Sequence, residues 1–131
     1  MIVVDCSYTL ACVMPDEQRP MALDQLITDR LLAPVIWPIE VANGLRNSLR
    51  RKRLNEGHLQ AICTDIMALE IEVLAPNQQS VTQFLDAALR HDLTSYDASY
   101  LELALQHRCT LATLDNGLAD AARRAGLQVL S

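Results

Sequence analysis

The chain has 131 residues, half of them apolar, few aromatics and a formal charge of −5. That describes one globular domain, residues 1–131, large enough to fold without a disulfide or metal staple, and it excludes a disordered chain. The acidic balance and scarce aromatic rings exclude nucleic-acid binding by bulk charge or by a stacking platform, so any such role needs a local basic patch or a cation that inverts the local charge.

Strand and helix signals alternate from end to end. Residues 2–5 read as a buried strand, and Ser7 as the cap of a short helix to Val13, broken at Pro15-Asp16. Residues 19–32 suit an amphipathic helix, with Met21, Ala22, Leu26 and Ile27 inward. "APVIW" (33–37) is the second strand, and Pro38 then occupies the first turn of a helix to about Arg53, with Val41, Ala42, Leu45 and Leu49 as its stripe. Residues 56–69 repeat the helical pattern through Leu59, Ile62, Cys63, Ile66 and Leu69, and "IEVLA" is the third strand. A helix over 80–90 precedes the clearest one, "LTSYDASYLELALQHR", capped by Thr94 or Ser95. "CTLAT" is strand four, "DNGLADAARRAG" a helix closed by Gly126, and "LQVL" the last strand. The expectation is an α/β fold of three α/β/α layers around a mostly parallel sheet of about five strands.

Cys6, Cys12, Cys63 and Cys109 form no C-x-x-C pair and read as reduced core residues, which suits the cytoplasm. No signal peptide precedes the first strand, and "LLAPVIWPI" is too short to span a membrane. His58, His91 and His107 lie singly among polar residues and read as solvated.

In a parallel sheet the strand C-termini share one edge, where sites form. Asp5 ends strand one, Glu40 is in the first turn after strand two, Asp97 in the first turn of the helix before strand four, and Asp115 just past strand four. Each alone reads as an acid favoured at a helix N-terminus. Together, four carboxylates at one edge repel one another, and a cation removes the conflict. All-oxygen ligation without His or Cys points to Mg²⁺ or Mn²⁺. Ser7, Asn43, Thr113 and Asn116 lie beside the acids, where hydroxyls and amides orient carboxylates or water. Such a site supports phosphodiester hydrolysis by a metal-activated water. The helix from Pro38 ends in "RNSLRRKR", and Arg46, Arg50 and Arg51 are candidate contacts for an RNA backbone.

With "VVDCS", "IEVANGLRNSLRRKRL" and "LTSYDASYLELALQHRCTLATLDNGLADAARRAG" assembled, the whole chain resembles the PIN-domain nucleases, in particular the small VapC-type ribonuclease toxins of toxin–antitoxin modules. The resemblance implies a PIN fold and Mg²⁺- or Mn²⁺-dependent endoribonuclease activity, with metal ligands at Asp5, Glu40, Asp97 and Asp115 and supporting hydroxyls at Ser7 and Thr113. It also implies a homodimer, and inhibition by a cognate antitoxin whose tail occupies a groove between the helices at 19–32 and 38–53. Where many relatives carry another acid shortly after the last Asp, this chain has Asn116 and Gly117. Asp120, five residues on, is turned about 140° away on a helix, so one tight metal is expected, with a second arriving with substrate if at all.

Two other readings remain: a non-catalytic α/β binding module whose acids are helix caps, and a metal-dependent phosphatase. Phosphatases with an aspartate nucleophile want a second Asp two residues after the first, where this chain has Ser7.

Overall fold

Three β-branched residues in a row, Ile2–Val4, form strand β1, and all three are buried. A strand with no polar face has to be covered on both sides, and β1 is the middle strand of five. The computed structural model describes residues 1–20, 23–75, 77 and 80–131. After β1 the elements run α1 (Cys6–Val13), α2 (Leu23–Ile27), β2 (Leu31–Pro34), α3 (Trp37–Arg50), a 3-10 turn (Glu56–His58), α4 (Leu59–Ala68), β3 (Glu72–Leu74), α5 (Val81–His91), α6 (Ser95–His107), β4 (Thr110–Ala112), α7 (Asn116–Arg124) and β5 (Val129–Leu130). The sheet order is β3-β2-β1-β4-β5, and every neighbouring pair is parallel.

Strand alternation divides the core in two. Val3, Leu32 and Leu111 join Trp37, Val41 and Leu45 of α3, Tyr100, Leu101 and Ala104 of α6, and Leu118 and Ala122 of α7. Ile2, Val4, Leu31 and Ala112 face the other way, against Tyr8 and Cys12 of α1 and Leu26 of α2. This is the three-layer α/β/α arrangement expected from the alternating pattern.

Several boundaries and burials differ from the sequence reading. The second strand is Leu31–Pro34, not 33–37, and α2 covers Leu23–Ile27 where a helix over 19–32 was expected. Pairing decides this: Ile2 lies opposite Leu31 and Val3 opposite Leu32, which buries residues 31–34 and leaves Val35 exposed. The run from Leu31 to Ile39 is apolar almost throughout, so it carries no mark of its own register. Met21 and Ala22, assigned inward on that helix, lie outside the described residues. On α3, Ala42 is exposed rather than part of the apolar stripe, and on α4 Cys63 faces solvent while Ile62 is buried. All four cysteines are free thiols. His91 is not solvated: its ring is largely covered and lies 3.1 Å from Glu102 of α6.

α3 packs chiefly against α1. Gly44 permits the approach, because a Cβ there would come within 2.7 Å of Leu10 Cδ1 and 3.9 Å of Cys6 Sγ. The contact brings the start of α3 beside the start of α1, and with it Glu40 towards Asp5. Among the described residues, no helix is long and apolar enough to cross a membrane.

Candidate active site

Asp5 follows β1 directly and is the N-cap of α1, a role the sequence reading gave to Ser7. Its Oδ1 accepts the Tyr8 N–H at 2.8 Å and the Ser7 hydroxyl at 2.7 Å, and its Oδ2 accepts the Thr113 hydroxyl. Both hydroxyls also accept main-chain N–H groups: Ser7 from Leu114 at 3.0 Å, Thr113 from Asp115 at 3.0 Å. With a lone pair of each hydroxyl engaged in that way, its proton is directed at Asp5. A carboxylate has about four lone-pair sites. Three are filled, and the one left, on Oδ2, is the position from which Asp5 can grip a cation.

Asp5 is only 5 % exposed. Burial pushes its carboxyl above the usual carboxylate range, the three donors pull it back, and the charge of Asp115 raises it further. The peptide oxygen of Asp5 accepts the Thr9 hydroxyl at 2.8 Å, and the Trp37 indole N–H donates to that same hydroxyl at 3.0 Å. Trp37 opens α3 one turn before Glu40, so this chain of bonds pins the start of α3 to the residue that opens α1.

Glu40 is half-buried in the first turn of α3 and accepts the Tyr100 hydroxyl at 2.6 Å through Oε1. Asp97 lies in the first turn of α6. That helix runs back against the strand direction, so its N-terminus is at the edge where the strands end. Thr94 caps it by accepting the Asp97 N–H at 3.1 Å. Asp115 is the N-cap of α7, with Oδ1 accepting the Leu118 N–H at 2.8 Å, and its side chain is exposed.

The four acids therefore come from four separate segments, and they act on one another. Burial first, then the charges of Asp115, Glu40 and Asp5, push the Asp97 carboxyl up to about 6. Burial, with Glu40 and Asp5, pushes the neighbouring Cys6 thiol up to about 12, so it stays protonated at neutral pH and is no nucleophile. The carboxylates share one field without closing into a finished shell. Among the described residues, no three His, Cys, Asp or Glu side chains stand close enough to grip one ion as placed. The chemistry of the donors fits a hard divalent cation: carboxylates backed by hydroxyls, carrying more negative charge than the edge can hold comfortably.

Of the supporting residues, Ser7 and Thr113 contact Asp5 directly. Asn43 and Asn116 are exposed and, among the described residues, make no hydrogen bond to the four acids. Asp120 is exposed and turned to Arg123 at 3.4 Å. On the basic segment, Arg53 is engaged with Asp16 and Glu17. Arg46 and Arg50 are exposed on α3, whereas Arg51 is the residue that ends it, not part of a helix to 53. Sequence reasoning missed Tyr100 and Trp37. Both look like apolar packing positions, and their polar atoms have partners 60 and 28 residues away.

The PIN-domain family profile matches residues 2–124. Ribonuclease VapC9 of Mycobacterium tuberculosis is 34 % identical over 123 residues, covering 92 % of this chain and 90 % of its own, and VapC ribonuclease Mb0985 of Mycobacterium bovis gives the same figures. Ribonuclease VapC3 of Pyrobaculum aerophilum is 31 % identical over 91 % of this chain and 92 % of its own. Among solved structures, PAE2754 of Pyrobaculum aerophilum superposes with a TM-score of 0.73 at 23 % identity, over 98 % of this chain and 82 % of that one. FitAcB of Neisseria gonorrhoeae gives 0.62 at 25 % identity, over 100 % and 97 %. With a family match spanning nearly the whole chain, the protein belongs to the PIN-domain family, among relatives of VapC type.

Proposed function

We infer that the protein is a ribonuclease, the toxin of a toxin–antitoxin pair, hydrolysing RNA phosphodiester bonds with the help of Mg²⁺ or Mn²⁺. The observation that carries this reading is the shared field of Asp5, Glu40, Asp97 and Asp115, which lifts Asp97 to about 6. The VapC relatives are named as ribonucleases over nearly the same length.

Asp5, Asp97 and Asp115 would hold the cation, and Glu40 would complete the shell or orient the attacking water. When bound, the ion supplies the charge that makes water acidic enough to attack at neutral pH and offsets charge on the phosphate. Ser7 and Thr113 fix Asp5 and pull its carboxyl back towards the ionised form. Arg46, Arg50 and Arg51 take RNA phosphates, since Arg50 lies about 15 Å along α3 from Glu40, within a few nucleotides of the cut. The enzyme works in the cytoplasm, where RNA and a reducing pool for its thiols coincide. Purified protein is expected to cut RNA in Mg²⁺ or Mn²⁺ and to stop in excess chelator, with 5′-end mapping of the products defining the sites. Equal cleavage with and without chelator removes the metal from the mechanism.

One observation favours a second reading, a binding module without catalysis: Asp5 and Asp115 each cap a helix. Among the described residues Glu40 and Asp97 cap nothing and are then ordinary first-turn acids, and this reading predicts no response to a divalent ion.

The cognate antitoxin is one partner, and a second copy of the chain the other. Val81, Leu85 and Leu89 form an exposed apolar stripe on α5, beside a groove of about 1060 Å³ that reaches Ile39 and Tyr96, the neighbours of Glu40 and Asp97. Arg90 and Glu102 line the same groove as an ion pair with each other at 2.7 Å, so a two-fold copy meets no net charge there. Wild-type protein is expected to sediment at twice 14.6 kDa, and Leu85→Asp, at an exposed position, as the monomer. A monomeric wild type at tens of micromolar removes the homodimer.

A further inference from the structure

Resting on that reading of the four acids, we propose that Tyr100 is a positioning residue for Glu40: its buried hydroxyl fixes one carboxylate oxygen so that the other is aimed into the cluster.

Tyr100 is 1 % exposed and packed in the core shared by Val3, Leu32, Trp37 and Leu101. A ring held that way has no rotamer to choose, so its hydroxyl is a fixed point. That hydroxyl donates to Glu40 Oε1 at 2.6 Å across 60 residues of sequence, tying α6 to α3. Among the described residues it is the one hydrogen bond made by the Glu40 side chain. Glutamate has three side-chain torsions, and at a half-exposed site it would otherwise sample several rotamers. With Oε1 held, Oε2 is left with a defined direction. Asp5 is held in a comparable way, each of its oxygens accepting a hydroxyl, from Ser7 on Oδ1 and from Thr113 on Oδ2. A phenol is protonated at neutral pH, so the Tyr100 hydroxyl is the donor and the Glu40 carboxylate the acceptor.

The test is a double-mutant cycle read by Mn²⁺ calorimetry on metal-free protein, with cleavage as a second measure. Tyr100→Phe removes the hydroxyl and keeps the ring. Affinity for Mn²⁺ is expected to fall about 10-fold, the lower end of what loss of an outer-shell partner costs, and cleavage at limiting Mn²⁺ falls with it. In a Glu40→Gln background the same change is expected to shift Mn²⁺ affinity less than about 2-fold, because the carboxylate it positions is gone. A melting curve of Tyr100→Phe without metal accompanies the calorimetry, so that a fall in affinity is read on folded protein, the ring that fills the core being unchanged. An equal fall in both backgrounds, or none in either, overturns the proposal. Mn²⁺ binding that is lost in Asp5→Asn but unchanged in Tyr100→Phe removes Tyr100 alone and leaves the nuclease standing. A wild type that binds no Mn²⁺ removes both.

Discussion

Asp5→Asn is expected to lower RNA cleavage by more than about 100-fold, beyond the usual cost of losing an outer-shell partner, while the protein stays folded. The substitution is nearly isosteric. The amide oxygen still accepts from Tyr8 and Ser7, so the cap of α1 survives. The amide nitrogen replaces Oδ2, which costs the Thr113 hydroxyl its acceptor and turns the proposed cation ligand into a donor. Circular dichroism and a melting curve taken beside the cleavage assay separate lost chemistry from lost structure. Cleavage at the wild-type rate would remove the central assignment.

The second large effect concerns stability. Mn²⁺ at about 100 times its dissociation constant stabilises a protein that binds it only when folded by about 2.7 kcal/mol, which for a domain of this size raises Tm by roughly 10 °C. In chelator, Asp97→Asn should be more stable than wild type at pH 7.5. In the folded protein the Asp97 carboxyl titrates at about 6, against an ordinary 3.8, so the native state holds that proton more tightly than the unfolded chain does. The resulting stability is full below about pH 4 and lost as pH rises through about 6. Above that pH the ionised side chain burdens the fold, and asparagine escapes the burden. Because Asp97 is half-exposed and water screens it, the gain is about 1 kcal/mol. It fades towards pH 4, and in saturating Mn²⁺ the order reverses. Melting curves at three pH values, with and without Mn²⁺, check every part of this. A variant less stable than wild type in chelator at pH 7.5 would mean that the acids do not repel one another.

Much of the architecture was legible because alternating apolar strands and amphipathic helices leave few ways to cover a parallel sheet. The acids were legible for the same reason: a residue just after an apolar strand, or at the start of a returning helix, falls at one edge. The register of β2 was not. Leu31 to Ile39 offers no alternation, and only pairing with β1 decides which four residues become strand. Ser7 was read as a cap because serine commonly is one, yet Asp5 took that position and freed the Ser7 hydroxyl for Asp5 itself. Tyr100 could not be found from its neighbours in sequence. On a helix stripe it looks like one more packed ring, and its polar end has meaning only once α3 lies across it.

β1 takes its place between β2 and β4, and Asp5 receives a hydroxyl supplied 108 residues later in the chain. A nascent chain on the ribosome therefore cannot assemble the four-acid edge until residue 115 has been translated and β4 has docked. A chain that stops before residue 113 lacks both the Thr113 hydroxyl and Asp115, and is expected to leave RNA uncut.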